Sequence, residues 1–217
     1  MTAQPRPERL GTMIVLAKQP LPGRAKTRLT PPLRPDEAAL IAAAALADTL
    51  AAATGVAADH HLLAFDGDPA GWLPPGWRVH AQSHGTLDVR LVAAFTAAAR
   101  GRPAVLVGMD TPQLRPHQLT AFDPTRYDAC LGLATDGGYW AIGFADPASA
   151  PRAISGVTMS TVDTGSIQLA RLHAAGLRVQ LLDVLSDFDT FDAACALTGQ
   201  APDSAFARAM QDLRAPR

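Results

Sequence analysis

Short apolar runs alternate with longer helical patterns along almost the whole chain, and this alternation restricts the fold more than any other feature. Runs rich in Val, Ile and Leu are typical of buried strands, whereas apolar residues three or four apart predict helices. The first such run covers residues 12–17, and a 20-residue helix follows over Pro35–Thr54, with proline and acidic residues at its start and Gly55 after its end. We predict further strands over 61–65, 77–81, 104–109, 129–134, 139–144 and 178–182, helices over 87–100, 160–175 and 190–197, and a last helix near the C-terminus.

Strands that alternate with helices predict an α/β protein with a mixed, mostly parallel sheet and helices on both faces. Two neighbouring strands joined by the glycine pair Gly137 and Gly138 predict that one strand pair is antiparallel. The chain shows no repeat, no low-complexity linker and no shift in composition that would divide it. We therefore predict one Rossmann-like domain over residues 12–217, preceded by a flexible tail at 1–11.

The overall charge argues against nucleic acid or anionic membranes as partners. The 217 residues include 19 Lys and Arg and 20 Asp and Glu, for a net charge of −1, whereas such binders are usually strongly basic. The most apolar stretch, 38–53, is interrupted by Asp48 and Thr49, and Cys130 and Cys195 are too few for a disulfide framework or a cysteine-rich metal site. We expect a cytoplasmic protein with small-molecule partners, no nucleic acid and no membrane.

The loop after the first strand concentrates positive charge. Residues 18–29 include Lys18, Arg24, Lys26 and Arg28 and no acidic residue. In an open α/β sheet, ligands bind beyond the carboxyl ends of the strands, and Gly23 would let the backbone approach an anion closely. The loop is neither a Walker A motif nor a GxGxxG fingerprint. It is either a nucleotide phosphate site or a solvated basic loop, and the residues alone leave both interpretations open.

Two later segments place carboxylates at strand ends. Asp110 follows the strand at 104–109 and precedes Pro112, and Asp189 lies in the segment DFDTFD, where Asp187 is a neighbouring alternative. Carboxylate oxygens that also share substrate phosphates are typical Mg²⁺ ligands. Both residues also have a simpler interpretation, in which Asp110 caps the turn after Pro112 and Asp189 or Thr190 caps the next helix.

The turn segment DGGYW also has two interpretations. Adjacent glycines suit a tight hairpin. They would equally form a floor for an acceptor or a sugar, with Asp136 or Tyr139 bonding its hydroxyl groups. Both interpretations stay open at the level of the sequence.

Several of these segments together resemble one known family. The opening MIVLAKQPLPGRAKTRLTPPL is similar to a family opening of the form AKxPxPGxxKTRL, and QSHGTLDVR, GMDTPQL, DGGYW and DFDTFDA follow in the family's order. This is the glycosyltransferase A-type, or nucleotide-diphospho-sugar transferase-like, family, which is related to the guanylyltransferases of deazaflavin-cofactor synthesis and to the molybdopterin and sugar-phosphate nucleotidyltransferases. In QSHGTLDVR, Thr86 and Asp88 stand where the family usually has Asp and Gly.

The resemblance implies a GT-A fold and a metal-dependent transferase that uses a nucleoside triphosphate or a nucleotide-sugar. Nucleotidyl transfer to a small phosphorylated acceptor is favoured, because no DxD sequence lies near Asp110. Glycosyl transfer and a non-catalytic nucleotide-binding or anion-binding module are the alternatives, and a homodimer is compatible with the resemblance. The implied nucleotide-binding residues are Leu16, Ala17, Lys18, Gly23, Arg24, Lys26, Arg28, Gln82, Gly85 and Arg90, with Lys26 and Arg28 catalytic; Asp136, Gly137, Gly138 and Tyr139 bind the acceptor, and Asp110 and Asp189 bind Mg²⁺ or Mn²⁺.

Overall fold

The computed structural model describes residues 9–214 and contains a seven-stranded sheet in the order β3-β2-β1-β4-β6-β5-β7. Strand β6 is antiparallel to β4 and to β5, and the remaining neighbours are parallel. The mixed, mostly parallel sheet is therefore confirmed. The strands are β1 (Leu10–Lys18), β2 (Ala58–Asp66), β3 (Arg78–Ala81), β4 (Ala104–Val107), β5 (Ala129–Leu133), β6 (Tyr139–Phe144) and β7 (Val179–Leu181).

Helices cover both faces of this sheet, as predicted. Helix α1 has the predicted bounds, since Pro35 occupies its first turn, the backbone N–H of Arg34 donates to the side chain of Glu37, and Gly55 follows its end. The helices are α1 (Pro35–Thr54), α2 (Leu87–Thr96), α3 (Pro116–Leu119), α4 (Ala150–Ile154), α5 (Thr164–Ala174), α6 (Phe191–Thr198) and α7 (Ala205–Arg214).

Helix α1 is the one described helix that is long and apolar enough to cross a bilayer by length and composition alone. Its apolar window is nevertheless 56% buried inside the protein. Ala42, Leu46 and Leu50 pack with Met13 and Val15 of β1. The helix is thus a core element of the domain.

Some predicted boundaries were wrong by a few residues. The first strand begins at Leu10, which is buried, so residues 10 and 11 belong to the sheet rather than to the predicted tail, of which residues 1–8 lie outside the described part of the chain. Helix α2 ends at Thr96, and beyond its end the Ala99 N–H donates to the Thr12 hydroxyl of β1. Helix α5 begins at Thr164, not at 160, because Ser160 has a left-handed backbone (φ 62°). Strand β4 ends at Val107, the last residue paired with β6.

Three buried clusters organise the interior. One lies between α1 and the sheet, and a second lies on the opposite face, where Ile14 and Leu106 meet Leu91 and Phe95 of α2. The third joins α1, α6 and α7 to Phe188 and to Leu29 of the basic loop. This third cluster draws the basic loop towards the C-terminal part of the chain.

Candidate active site at the carboxyl edge of the sheet

Strands β1 and β4 are parallel neighbours, so the segments that follow them leave the sheet side by side. The basic loop follows β1, and Asp110 follows β4. Within the loop, Lys26 has a left-handed backbone (φ 48°) and is followed by a 3₁₀ turn that ends at the fully buried Leu29. Leu29 therefore anchors the loop in the third cluster while Lys26 lies over the end of the sheet.

The ammonium group of Lys26 lies between two carboxylates. Its Nζ atom is 3.2 Å from Oδ2 of Asp110 and 2.9 Å from Oδ1 of Asp189, and it donates a hydrogen bond to the carbonyl of Phe188. The same atom lies 4.2 Å from the centre of the Phe188 ring. Burial lowers the pKa of Lys26, but the charges of Asp110 and Asp189 outweigh it and the net shift is upward. Lys26 is therefore a buried, charged lysine.

Asp189 joins this lysine to Arg28. An Nη1 atom of Arg28 lies 3.3 Å from Oδ2 of Asp189. Burial raises the pKa of Asp189, but Lys26 and Arg28 outweigh that effect and lower it below its ordinary value. The helix cap is made instead by Thr190, whose hydroxyl accepts from the Ala193 N–H. Of the two capping interpretations for this segment, the structure supports Thr190, and the Asp189 carboxylate belongs to the site.

Asp110 makes its ion pair with Lys26, and the turn after Pro112 closes through a backbone bond from the Leu114 N–H to the Thr111 carbonyl. The next short helix, α3, starts after Arg115 and not at Asp110. Asp110 and Asp189 therefore both contact Lys26 at the carboxyl edge of the sheet, and their role as metal ligands stays a prediction.

Two further carboxylates lie nearby. Burial raises the pKa of Asp187 to about 6, the charge of Asp136 adds to the rise, and Lys26 opposes it. Asp136 accepts a 2.8 Å hydrogen bond from the Gly138 N–H. The buried Gln113 donates to the Ser186 carbonyl and so fixes the segment that carries Asp187. Sequence reasoning missed Gln113 and Phe188, and its only signal for them was their position next to the two acidic segments.

The glycine turn after β5 packs against the segment before α5. Gly137 has φ +92°, and a Cβ atom there would lie 1.9 Å from the carbonyl oxygen of Val162. The Gly165 N–H donates to the Gly137 carbonyl at 2.8 Å. Gly137 is thus required by the close approach of two backbones. Tyr139, which follows the turn, is largely enclosed, and burial raises the pKa of its hydroxyl.

Two cavities open at this edge of the sheet and share Arg28, Asp110 and Asp189. The small cavity has a volume of about 180 Å³, and the large cavity has a volume of about 620 Å³. The small cavity is also lined by Lys18, Ala25, Lys26, Thr27, Ala42 and Met109. The large cavity is also lined by Leu16, Leu87, Leu91, Leu106, Gly108, Asp136, Gly138, Tyr139, Trp140, Ala141, Ile142, Met159, Ser160, Thr161, Val162, Thr164 and Asp187.

The structure brings most predicted site residues together around these cavities. The predicted residues in the two linings are Leu16, Lys18, Lys26, Arg28, Asp110, Asp136, Gly138, Tyr139 and Asp189. The predicted residues outside both linings are Ala17, Gly23, Arg24, Gln82, Gly85, Arg90 and Gly137.

The 82–90 stretch has a visible structural role. The Gln82 amide donates to the carbonyls of Ala17 (2.7 Å) and Ala64 (3.0 Å), and its oxygen accepts from Arg90 at 3.2 Å. These bonds tie the ends of β1 and β2 to α2. Asp88 accepts from the Thr86 hydroxyl and from the Gly156 N–H, so the departure from the family pattern links α2 to the turn after α4. A nucleotide contact by this stretch stays a prediction.

The donor set at Asp110 and Asp189 can be compared with the needs of a divalent ion. Within residues 9–214, no group of three or more His, Cys, Asp or Glu side chains forms a complete metal cage. The two carboxylates are 43% and 45% exposed and lie on either side of Lys26. Mg²⁺ is commonly held by one or two carboxylates and completed by substrate phosphates and water. These two residues fit an ion of that kind, bound together with a phosphate.

Comparisons with known proteins agree with this architecture. The sequence model of a family described as "Uncharacterized protein conserved in bacteria (DUF2064)" matches residues 38–161. A protein of Desulfovibrio desulfuricans G20, provisionally named a nucleotide-diphospho-sugar transferase, is 26% identical, with a TM-score of 0.80 and coverage of 94% of this chain and 95% of that chain. No curated protein matches the chain.

Two further solved structures are similar in fold. CMP:2-keto-3-deoxy-manno-octonic acid synthetase, in complex with CTP, is 13% identical, with a TM-score of 0.53 and coverage of 88% of this chain and 97% of that chain. The inositol-1-phosphate CTP transferase of T. maritima is 12% identical, with a TM-score of 0.55 and coverage of 86% and 92%. Together with the D. desulfuricans structure, these two structures confirm the fold that the resemblance of the sequence motifs implied.

Proposed function

We propose that this chain, which belongs to the DUF2064 family of proteins conserved in bacteria, is a transferase that binds the phosphates of a nucleotide in the small cavity. The observation that carries the proposal is the buried Lys26, held between Asp110 and Asp189 at the carboxyl edge of the sheet. A charged lysine enclosed with two carboxylates is costly to bury, and ligand sites of α/β folds lie at this edge. Binding of a phosphate by Lys26 would account for a charged lysine buried at this position.

In this proposal the small cavity holds the phosphates by charge and position. Lys18, Lys26 and Arg28 line it and supply the positive charge. All three N–H groups of the Lys26 ammonium already have acceptors, namely Phe188, Asp110 and Asp189. Lys26 therefore exchanges one carboxylate for a phosphate oxygen when a nucleotide binds. Phosphoryl-type reactions depend mainly on such positioning and charge stabilisation.

A divalent ion is part of the proposal. Asp110 and Asp189 would hold Mg²⁺ or Mn²⁺, which would neutralise charge on the phosphate oxygens. Their partly exposed carboxylates at the shared wall of both cavities support this role. The protein's own cations, Lys26 and Arg28, orient the phosphates beside them.

Nucleotidyl transfer is the reaction we favour, and glycosyl transfer from a nucleotide-sugar is the second candidate. The basic loop suits a triphosphate, and no DxD sequence accompanies Asp110. The fold is shared with a CTP-bound synthetase and with a CTP transferase. The name of the D. desulfuricans protein, with 26% identity, supports the second candidate.

Residues 82–90 would contact the part of the nucleotide that lies beyond its phosphates. Ser83 Oγ and Arg90 Nε are buried and have no hydrogen-bond partner within the described residues. Buried polar groups are normally paired. A nucleotide over the ends of β1 and β2 would supply partners for both atoms only if the side chains that cover them move, because neither residue lines either cavity.

Binding by calorimetry tests the proposal directly. The four common nucleoside triphosphates, UDP-glucose and GDP-mannose are titrated with and without Mg²⁺ or Mn²⁺, into the wild type and into Lys26→Ala and Asp110→Asn. We expect at least one nucleotide to bind, and both substitutions to weaken it by about tenfold or more. Release of pyrophosphate, or of a nucleoside diphosphate, then separates nucleotidyl from glycosyl transfer.

Arg100→Ala is the matched control, because Arg100 is an exposed cation just before the start of β4, at the opposite edge of the sheet. This variant is expected to bind nucleotide like the wild type. Binding that is equally strong in Lys26→Ala, in Asp110→Asn and in this control would show that the small cavity is not the nucleotide site.

A further inference from the structure

The large cavity carries the charge opposite to the one that a phosphorylated acceptor requires. Four carboxylates line it, those of Asp110, Asp136, Asp187 and Asp189. Among the described residues of its lining, Arg28 is the only Lys or Arg, and its guanidinium is already paired with Asp189 at 3.3 Å. Asp110 and Asp189 are also paired with Lys26, whereas no ion pair within the described residues involves Asp136 or Asp187. An anionic group placed there would be repelled by the carboxylates of Asp136 and Asp187.

The rest of this cavity is largely apolar. Leu16 and Leu106 come from the sheet, Leu87 and Leu91 from α2, and Val162 from the segment before α5. Its volume of about 620 Å³ lies in the range of small-molecule sites. Such walls favour a ligand with an apolar portion, since burying that portion removes it from water.

We propose that the large cavity takes an uncharged group that bears hydroxyls and an apolar portion, and that a phosphorylated acceptor is excluded. Carboxylates accept hydrogen bonds from hydroxyl groups, and Asp136 and Asp187 line the cavity. The inference rests on the proposed function, in which nucleotide phosphates occupy the adjoining small cavity. Because both cavities share Arg28, Asp110 and Asp189, the uncharged group lies next to the phosphates.

Two sources can supply a group of this chemistry. One is the sugar end of a nucleotide-sugar, and the other is a separate acceptor molecule. Both present hydroxyls without charge to the same carboxylates. The experiment below distinguishes them after it has tested the shared chemistry.

The test uses a pair of ligands that differ in charge. Phenyl β-D-glucopyranoside and phenyl β-D-glucuronide share a ring, hydroxyls and an apolar phenyl group, but the second carries a carboxylate. By calorimetry at neutral pH, we expect the glucoside to bind at least about tenfold more tightly than the glucuronide. Asp136→Asn keeps an acceptor for the Gly138 N–H. In this variant we expect the ratio of glucoside affinity to glucuronide affinity to fall several-fold.

Asp212→Asn is the matched control, because Asp212 is an exposed residue of α7 outside the lining. It is expected to leave the preference unchanged. Equal or tighter binding of the glucuronide, no binding of the glucoside at millimolar concentration, or an unchanged preference in Asp136→Asn would each overturn the inference. Nucleotide binding in the separate titrations can succeed while these fail, so the two proposals are judged apart.

A competition experiment identifies the source. If UDP-glucose displaces the glucoside and UDP does not, the cavity holds the sugar end of a nucleotide-sugar. If the glucoside binds alongside UDP-glucose, the cavity holds a separate acceptor. Both results support an uncharged ligand and differ only in its origin.

Discussion

The two cavities at the carboxyl edge of the sheet share Arg28, Asp110 and Asp189 but differ in everything around them. The small cavity is dominated by Lys18 and Lys26, which approach from the basic loop. The large cavity is lined by apolar side chains of the sheet and α2 and also by Asp136 and Asp187. The same three residues therefore face a cationic space on one side and an acidic, apolar space on the other.

This difference in charge and polarity is the basis on which different ligand chemistries are proposed for the two cavities. The cationic space suits phosphates, and the acidic, apolar space suits an uncharged, hydroxyl-bearing group. The cavities also rest on different parts of the core. Lys26 lies on Phe188 of the third cluster, whereas the large cavity rests on the sheet and α2. Changes at one cavity or at the shared wall test this comparison, and a substitution outside both cavities provides a reference for it.

The largest effect is expected from the loss of Phe188, the aromatic residue on which Lys26 of the small cavity lies. Phe188 is fully buried, its ring lies 4.7 Å from that of Phe206, and it carries the Lys26 ammonium. We expect Phe188→Ala to reduce the free energy of unfolding by about 3–5 kcal/mol, measured by chemical denaturation. Leu87→Ala, at a half-buried wall residue of the large cavity, is expected to cost only about 1 kcal/mol. Equal losses of unfolding free energy in the two variants would contradict the conclusion that the two cavities rest on different parts of the core.

A second substitution tests whether a positive charge at residue 26 is sufficient or whether the shape and position of the ammonium group also matter. Lys26→Arg keeps the positive charge, but a planar guanidinium cannot take the place of a compact ammonium that is 7% exposed between two carboxylates. We expect turnover, measured as pyrophosphate or nucleoside diphosphate release, to fall on the order of 10². Binding of phenyl β-D-glucopyranoside in the large cavity should stay within about twofold of the wild type. Full activity of this variant would mean that charge alone is sufficient.

Removal of divalent ions tests the shared wall. With EDTA in place of Mg²⁺ or Mn²⁺, we expect nucleotide affinity in the wild type to fall about tenfold. In Asp110→Asn, which has lost one carboxylate, the same treatment should change affinity much less. Glucoside binding in the large cavity provides the internal control, because an uncharged ligand needs no metal. An identical metal response in wild type and variant would place the ion elsewhere.

The smallest effect is expected at a carboxylate outside both cavities. Hydrogen bonds from the Arg178 side chain and backbone lower the pKa of Asp128 from 3.8 to about 2. A lowered folded-state pKa stabilises the fold above the unfolded value, and that stabilisation is lost as the pH falls towards 2. Asp128→Asn should slightly lower the denaturation midpoint at pH 7, and the difference from wild type should shrink as the pH falls from about 4 to about 2. A difference that was undiminished at pH 2 would exclude this ion pair as its cause.

Much of the fold could be predicted because it follows local rules. The bounds of α1 follow from Pro35, the acidic first turn and Gly55, and all of them act within one helical turn. Helix α5 was predicted four residues too early, because Ser160 has a left-handed backbone and the segment before Thr164 packs against the glycine turn at Gly137. Such contacts between distant segments leave no local signal.

The sequence by itself determined the order of the seven strands and of the longer helices, the mixed sheet, and the charged residues that follow strand ends; the short helices α3 and α4 were not predicted. These charged residues were expected at one edge of the sheet because parallel strands carry their following loops there. Only the tertiary structure decided that Lys26 lies between Asp110 and Asp189, which are 84 and 163 positions away along the chain. It also decided that the neighbouring cavity is acidic and apolar, because that property depends on side chains from β1, β4, β6, α2 and the segment before α5 meeting in space.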